Sequence, residues 1–338
     1  MHAIRALPFG LTLVCLFVLS PCAHAQLYEA VGTRAQGMAG AFVAVADDAS
    51  ATWWNPAGLA TGAYFGGLLE KARLEQPADP VGREPRWRSE GQSVAAAFPA
   101  MGISYYRFHI NEIRTTTGGE SGGRQEEGVP GELRATRLTA FGATFGQSLG
   151  RHVVVGSTVR LVRAGIATSV DAGDSDPVSA AADLAVPVQT RGDIDLGLML
   201  TAGHLRLAGV LKHAGRPVFA TDAGRLELER QGRVGLAITS GKSGSASGAV
   251  LAVDMDVTKT ATATGDSQRI AVGGEGWMRG RAFGLRAGIS ANRVGDKAVT
   301  TSIGLSTALR KSTYIDGVLT NGRDRSLNGW GVSLRVAY

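Results

Sequence analysis

The sequence predicts an all-β protein: a transmembrane antiparallel β-barrel of about fourteen strands. Three observations predict it. Many segments of about ten to fifteen residues alternate apolar and polar side chains, with Gly, Asp, Asn and Ser clusters between them. The connections between these segments alternate between short and long. The last segment is amphipathic and ends on an aromatic residue, Tyr338.

The first 25 residues have the organisation of a cleaved signal peptide. Arg5 supplies the positive charge, residues 7–19 form the apolar core, and residues 23–25 read Ala-His-Ala, a small-x-small cleavage site. The apolar run is too short to cross a bilayer as a mature helix, so we expect cleavage directly after this site. The alternative, a lipid on Cys22, is disfavoured by the proline that precedes it.

Composition excludes several functional classes. Both cysteines, Cys15 and Cys22, lie in the leader, so the mature chain has neither disulfides nor a cysteine metal site. The formal net charge of +6 falls by one to +5 when Arg5 is removed with the leader. Because the basic residues form no block, the sequence predicts no nucleic-acid partner.

After Thr61, turn signals divide the chain into fourteen strand candidates. Residues 61–338 are therefore assigned to the barrel. The candidates lie near residues 63–76, 90–98, 101–115, 132–147, 151–166, 189–201, 203–213, 226–240, 248–260, 267–278, 281–293, 297–309, 311–320 and 329–338.

Alternation within these strands fits either a soluble sandwich or a transmembrane barrel with a wet lumen. In the sixth strand, Ile194 and Leu196 alternate with Asp193 and Asp195, and in the eighth, Leu228 is placed on the same outward face as the following apolar residues. The alternation of short and long connections favours the barrel of a Gram-negative outer membrane, in contact with outer-membrane lipid. An even number of strands places both termini in the periplasm, and we expect the first strand to pair with the fourteenth.

The C-terminal strand resembles the signal by which the barrel-assembly machinery recognises outer-membrane barrels. We therefore expect that machinery to be a partner of the chain. The residues predicted to share the outward face of this strand and to form the signal are Trp330, Val332, Leu334, Val336 and Tyr338.

The stretch before the first strand does not fit a strand or a linker. Residues 32–60 read GTRAQGMAGAFVAVADDASATWWNPAGLA, with no single period and with three glycines that permit unusual backbone conformations. A mobile linker is the alternative, but Phe42, Trp53 and Trp54 would be costly to leave in water. This stretch closely resembles the N-terminal signature of the FadL/PorV-type outer-membrane proteins, in which an N-terminal segment folds into a fourteen-stranded barrel as a hatch.

The resemblance implies a hatch over residues 26–60, in which Asn55 and Pro56 form the turn that leads to the first strand. We expect Arg34, Asp47 and Asp48 to find partners on the lumen wall; solvation in the lumen without defined pairs is the alternative. The predicted hatch residues are Gly32, Arg34, Gly37, Met38, Gly40, Phe42, Asp47, Asp48, Trp53, Trp54, Asn55, Pro56 and Gly58. The predicted lumen-wall residues are Arg160, Asp193, Asp195, Arg206, Arg233, Asp254, Asp256, Arg286 and Arg335.

No catalytic or metal site is predicted. The four histidines of the mature chain, which include His213, lack ligand spacing such as H-x-x-x-H, and no nucleophile motif or phosphate-binding loop is present. The carboxylate pairs Asp193/Asp195 and Asp254/Asp256 are explained by a polar lumen. We therefore expect neither an enzyme nor a cofactor.

The predicted function is passive transport of small hydrophobic molecules, such as fatty acids or hydrocarbons, through a lumen gated by the hatch. The chain departs from the transporters because its longest loops, 116–131 and 167–188, are polar rather than large and apolar, which brings it closer to the shorter PorV-like branch. The alternatives are a PorV-like accessory that binds secreted proteins or a secretion machine, and a structural barrel with a permanently closed plug.

Overall fold

The computed structural model describes residues 31–76, 86–114, 132–170, 177–240, 248–262, 265–295, 297–322 and 328–338. The predicted signal peptide, the first five residues of the predicted hatch and the connection 116–131 lie outside the described residues.

Eighteen strands and four short helices make up the described chain. The strands are β1 (Gly66–Gln76), β2 (Arg86–Phe98), β3 (Met101–Arg114), β4 (Glu132–Leu149), β5 (Val153–Val170), β6 (Gln189–Ala202), β7 (Leu205–Lys212), β8 (Val218–Thr221), β9 (Gly224–Glu227), β10 (Gln231–Ser240), β11 (Ala249–Asp256), β12 (Thr260–Thr262), β13 (Gly265–Ser267), β14 (Arg269–Met278), β15 (Phe283–Asn292), β16 (Val299–Arg310), β17 (Thr313–Gly322) and β18 (Asn328–Ala337). The helices are α1 (Thr33–Gly37), α2 (Ala51–Trp54), a 3-10 helix (Pro56–Thr61) and α3 (Pro177–Ala182).

Fourteen of these strands form one closed antiparallel barrel, which confirms the predicted fold class and the number of strands. The ring closes where β1 pairs with β18, with Gly66 opposite Ala337, as predicted. The remaining four strands form two hairpins, β8–β9 and β12–β13, in connections between barrel strands.

The β8–β9 hairpin corrects one boundary. The predicted strand near 226–240 begins only at Gln231, because Gly224–Glu227 pairs with Val218–Thr221 instead of with the barrel. Leu228, which was expected on the outward face, is buried, with 2% of its surface exposed. Period-two alternation groups residues on one face but does not tell a lipid-facing side chain from one buried behind a hairpin.

The barrel is apolar outside and polar inside. In β6 the outward residues Ile194, Leu196, Leu198 and Leu200 are 37–46% exposed, whereas Asp193 and Asp195 face inward and are buried. Contiguous apolar surface of this kind is stable when lipid covers it. No helix among the described residues is both long enough and apolar enough to cross a membrane.

The hatch, defined here as described residues 31–60, lies within the barrel. Helix α1 contacts β15 to β18, while the 3-10 helix contacts β3 to β6 on the other part of the wall. Most of the hatch side chains are buried. Gly32 and Gly40 have φ values of 82° and 87°, which glycine adopts without the strain of a side chain. The irregular backbone is accommodated at this depth because the wall surrounds it.

Candidate functional site

Arg34 is the centre of the ionic contacts that hold the hatch. Its Nε and NH2 groups donate to both carboxylate oxygens of Glu275 on β14, at 2.6 and 2.7 Å. Its NH1 group donates to Asp47 at 2.5 Å and to Asp48 at 3.2 Å. Burial opposes the charged guanidinium, but the carboxylates of Asp47 and Glu275 outweigh it and raise the pKa of Arg34 well above its usual value. Asp48 also accepts the backbone N–H of Ser50, at 2.9 Å.

Glu275 connects the hatch to a second set of charges on the wall. It accepts a hydrogen bond from Arg286 Nε at 2.6 Å, so two guanidinium groups share one buried carboxylate. Arg286 also lies 3.5 Å from Asp316, which in turn accepts from Arg335 Nε at 2.9 Å. The β14–β18 side of the wall thus forms a continuous ionic network that includes the hatch through Arg34.

Two further carboxylates of the wall accept backbone N–H groups of the hatch. Glu70 on β1 accepts from the amide of Gly32 at 2.8 Å, and from the amide and hydroxyl of Thr33. Asp254 on β11 accepts from both amides of residues 42–43, at 2.7 Å each. These carboxylates supply the partners that an irregular buried backbone cannot obtain from regular secondary structure.

Inward-facing glycines let the hatch backbone lie directly against the wall. A Cβ atom on Gly273 or Gly288 would overlap the backbone of Met38, and one on Gly197 would overlap the side-chain oxygen of Asn55. Since any larger residue at these positions would push the hatch inward, the wall sequence is matched to the hatch.

Neutral hydrogen bonds hold the opposite side of the hatch. Asn55 accepts from the amide of Ala57 at 3.1 Å and donates to the carbonyl of Val43 at 3.0 Å and to that of Leu198 on β6 at 3.4 Å. It therefore caps the 3-10 helix that precedes β1. The Thr52 hydroxyl bonds that of Tyr106 on β3 at 2.5 Å.

An apolar cavity lies on this side, between the hatch and the wall of β3 to β7. It is partly open to solvent: about 580 Å³ is free of protein atoms, and about 30 Å³ of this admits the centre of a water-sized molecule. The hatch contributes Trp53, whose ring meets that of Phe108 at a centroid distance of 5.4 Å. Leu226 and Leu228, from β9 and the residue after it, line it as well. The remaining lining residues on the wall are Ile110, Thr136, Leu138, Ala140, Arg160, Val162, Lys212, His213 and Gln231.

Two cations lie against Trp53 in this cavity. Lys212 Nζ is 3.4 Å from the Trp53 ring centroid, and the Arg160 guanidinium carbon is 4.8 Å from it. Arg160 NH2 is also 2.7 Å from Asp195 and donates to the carbonyl of Thr52 at 2.9 Å. The cavity thus combines apolar walls with cationic groups, an arrangement suited to an apolar or amphipathic molecule.

One group of potential metal ligands was not anticipated from spacing. Asp193, Asp195 and His213 offer atoms within 4.8 Å of one another. His213 Nδ1 is 2.6 Å from Asp193, and its backbone N–H donates to Asp195. Because Arg160 forms an ion pair with Asp195, protein cations already neutralise part of this acidic group, which explains it as a lumen charge network.

The wall residues predicted from sequence lie where alternation placed them, but their partners differ from the expectation. Asp47 and Asp48 pair with Arg34 of the hatch itself. The wall arginines pair with carboxylates of the wall: Arg160 with Asp195, Arg233 with Asp256 at 2.6 Å, Arg286 with Glu275, and Arg335 with Asp316.

Arg206 is a predicted wall residue that does not bond to the described hatch. It lies on the inward face of β7 near the short-turn end and is half-buried, with no hydrogen bond or ion pair to the described hatch.

The aromatic and turn residues of the hatch pack inside the barrel. Trp54 is fully buried, donates from Nε1 to the carbonyl of Val31 at 2.8 Å, and meets Phe42 edge-on at 6.0 Å between centroids. Pro56 begins the 3-10 helix. Gly58 is required there because a Cβ would overlap the carbonyl of Ala46. Gly37, the last residue of α1, was also predicted in the hatch, and it faces Gly304 and Arg286 on the wall.

The residues of the predicted assembly signal are found on the outward face of β18. Trp330, Val332, Leu334 and Tyr338 are 37–70% exposed, and Val336 is half-buried. Tyr338 also donates its backbone N–H to Phe65 at 2.8 Å beside the closing pair of strands.

Sequence reasoning missed three acidic residues of the wall, of which Glu70 and Glu275 contact the hatch directly and Asp316 pairs with wall arginines. Glu70, Glu275 and Asp316 lie on inward positions of their strands, but each is a single acidic residue among many. The one feature of the sequence that indicates them is alternation: each occupies a position between residues that face outward. Which strand lies opposite which part of the hatch is not encoded in parity.

Comparisons with known proteins find the same fold at low identity. No protein-family model matches the sequence, and no curated protein matches it. The CymD monoaromatic hydrocarbon channel shares 12% identity at a TM-score of 0.61, over 93% of this chain and 99% of that one. The Ralstonia pickettii toluene transporter TbuX shares 14% at 0.59, over 92% and 99%. A Pseudomonas aeruginosa FadL homologue shares 10% at 0.58, over 91% and 98%. The fold implied by the resemblance of residues 32–60 is confirmed.

Proposed function

We propose that the protein is an outer-membrane barrel through which small hydrophobic molecules cross passively, without catalysis and without a cofactor. The observation that carries the proposal is the cavity beside Trp53, lined largely by apolar side chains and bounded by the hatch. The solved structures that share its fold are described as hydrocarbon channels and toluene transporters.

Placement in the outer membrane is supported by the surface of the barrel. Most of its outward strand faces are apolar. The described connections are shortest at the end of the barrel where β1 begins and β18 ends. Short turns at one end and longer connections at the other are typical of outer-membrane barrels. In the proposed orientation, both ends of the barrel chain lie on the periplasmic side.

The cavity suits a ligand that gains binding energy by leaving water. Phe108, Ile110, Leu138 and Val162 supply apolar contacts, and burial contributes roughly 25 cal/mol for each Å² of apolar surface. The basic side chains of Lys212 and Arg160 beside Trp53 also offer hydrogen-bond donors to a ligand with a carboxylate end. Fatty acids and hydrocarbons both meet this description.

Gating by the hatch is part of the proposal. Trp53 belongs to the hatch and borders the cavity, so a molecule that moves inward must displace that side chain or the segment that carries it. The bonds between this side of the hatch and the wall include Asn55–Leu198 and Thr52–Tyr106. These two neutral hydrogen bonds contribute about 1 kcal/mol each, and the bond from the Arg160 guanidinium to the carbonyl of Thr52 about 1.5–3 kcal/mol, so local movement here costs a few kcal/mol.

The test is to fill the cavity without changing the rest of the barrel. Ala140 faces the cavity on β4, and Ala143 on the same strand faces outward. Ala140→Phe is expected to lower uptake of labelled toluene or fatty acid in a deletion strain about tenfold, the factor produced by a loss of about 1.4 kcal/mol of binding. Ala143→Phe adds the same ring towards lipid and is expected to leave uptake unchanged.

The same strains distinguish transport from the alternative function as a secretion accessory. If deletion left uptake unchanged but abolished surface display of secreted proteins, transport would be wrong and the PorV-like alternative would be supported. Equal uptake by Ala140→Phe and wild type, with both barrels folded, would show that the cavity is not on the route.

A further inference from the structure

The outward charges of the barrel are concentrated on one sector. Six described Lys and Arg side chains face outward on the five consecutive strands β1 to β5. Apart from Arg310 at the short-turn end of β16, the outward positions of the other nine barrel strands carry no Lys or Arg in the described chain. The six cations, called here the basic sector, are Lys71, Arg73, Arg88, Arg107, Arg137 and Arg163.

Strand register shows that the basic sector begins at a sharp boundary. One row across the five strands consists of apolar residues that are 40–59% exposed: Leu69, Val94, Tyr105, Phe141 and Leu161. The next outward row, two residues further along each strand, is polar or cationic throughout: Lys71, Gln92, Arg107, Thr139 and Arg163. Such a step marks the approach to the edge of the hydrocarbon layer, because a cation at its centre costs about 2–4 kcal/mol and one near the interface about 0–1. The row rises along the tilted strands, from Lys71, five residues after the start of β1, to Arg163, ten residues after the start of β5.

The row nearest the boundary leaves its cations available. Lys71, Arg107 and Arg163 are all exposed, and none has an ion pair in the described part of the chain. Arg107 donates to His109, which is not a carboxylate. Neighbouring strands are about 4.8 Å apart, so the three cations recur roughly every 10 Å around the barrel. Since the outer two are then about 19 Å apart, a single anionic group meets at most two of the three, and a lipid with more than one phosphate can reach more of them.

Two other members of the basic sector, Arg73 and Arg137, lie further from the short turns than this row and are held by polar contacts. Arg73 forms an ion pair with Glu90 at 2.5 Å. Arg137 donates to Asn111 at 2.9 Å and to the carbonyl of Ala182, the last residue of α3, at 2.7 Å. Helix α3 therefore lies on the outer surface of the barrel, and it buries Asn111 although that residue has outward register. The exposed cations lie between this cover and the apolar wall.

We infer that the basic sector binds a phosphorylated lipid of the outer leaflet, with its acyl chains on the apolar row and its phosphates on Lys71, Arg107 and Arg163. The occupant follows from charge and position. The sector begins midway along the strands, at Lys71 in β1 and Arg107 in β3, and extends towards the ends opposite the short turns, on the side of the outer-leaflet head groups in the proposed orientation. Guanidinium and ammonium groups are the side chains that bind phosphate most strongly. The inference depends on the membrane placement proposed above but not on the cargo.

The test measures lipid retention by the full chain purified in detergent, using native mass spectrometry with bis-phosphorylated lipid A as the probe. Each cation near an anionic lipid contributes about a fivefold factor. The triple variant Lys71→Gln, Arg107→Gln, Arg163→Gln is therefore expected to lose roughly a hundredfold in lipid A affinity. Lipid A with both phosphates removed is expected to bind wild type as weakly as lipid A binds the variant.

A matched control changes the same charges at the other end. Arg151, Arg310 and Lys311 are exposed at short turns, and replacing all three with Gln also removes three positive charges. This control is expected to retain lipid A like wild type. Heat-modifiable migration on gels confirms that each variant is folded. Equal retention by the sector variant and wild type, or equal retention of the phosphorylated and dephosphorylated lipids, would overturn the inference, as would a protein partner cross-linked to this sector in place of lipid.

Discussion

The two sides of the hatch are held to the barrel by different kinds of contact. Towards β14–β18, Arg34 enters a buried ionic network through Glu275, and Met38 lies directly on wall glycines. Towards β3–β6, the described hatch forms no ion pair with the wall. Asn55 and Thr52 make hydrogen bonds to it, one of them from the Arg160 guanidinium to the carbonyl of Thr52, and the apolar cavity opens beside Trp53. The difference indicates a fixed side and a side that can move.

The largest effect is expected at the fixed side, from Glu275→Gln. The substitution leaves Arg34 and Arg286 buried with one counter-charge fewer, and breaking a buried ionic pair costs about 3–5 kcal/mol. We expect the hatch to become accessible while the barrel persists. The described residues contain no cysteine, and the two cysteines of the sequence, Cys15 and Cys22, lie in the predicted signal peptide. Maleimide labelling of Ala35→Cys, a position that is fully buried, therefore reports this directly in the chain without that peptide.

The control for that substitution is Asp222→Asn, which makes the same carboxylate-to-amide change at an exposed hairpin turn and is expected to leave labelling slow. Adding Arg34→Met to Glu275→Gln removes one of the two buried cations that have lost their counter-charge. The double substitution is expected to restore part of the protection of Ala35→Cys from maleimide. If Glu275→Gln alone left Ala35→Cys unreactive, the ionic network would not be what fixes this side.

A second prediction concerns the packing at the fixed side. Gly288→Val places a branched side chain where the backbone of Met38 already lies, and overpacking of this kind costs about 1–3 kcal/mol. The hatch is expected to exchange its amide hydrogens faster near Met38. Gly317→Val is the matched control, because nothing lies within 4 Å of a Cβ at that position, which faces outward. Faster exchange in both variants would show a general loss of barrel stability instead.

The fold was predictable because its signal is local. A period of two along each strand is readable without knowledge of its neighbours, so the fourteen-stranded barrel and its closure were expected correctly. Arg160, Arg286 and Arg335 lie buried at inward positions of this barrel. The pairing of charges was not predictable, because it depends on which strands face each other across the lumen. Asp47 was expected to find a wall arginine and instead pairs with Arg34, thirteen residues earlier in the chain.

The cavity was unpredictable for a related reason. Leu226 and Leu228 share a parity with residues of β10, and alternation alone assigned Leu228 to the lipid face. The β8–β9 hairpin takes both leucines out of the barrel strand and into the cavity lining. The basic sector was also not recognised, although Lys71 and Arg73 alternate in β1. A cation in a strand is interpreted as facing the lumen until the register of the adjacent strands shows that its position faces outward.

The smallest effect is expected at the side that moves, from Asn55→Ala. The substitution removes the cap of the 3-10 helix and the donors to Val43 and Leu198, so about 1–2 kcal/mol of local stability should be lost. Hydrogen exchange of residues 52–58 should accelerate by roughly tenfold, the factor for about 1.4 kcal/mol, while the amides near Arg34 stay protected because Glu275 still binds it. Asn321→Ala, at an exposed outward position of β17, is expected to change neither region. Equal acceleration around Arg34 and Asn55 would mean that the hatch opens as one unit, and the distinction between a fixed and a moving side would then be wrong.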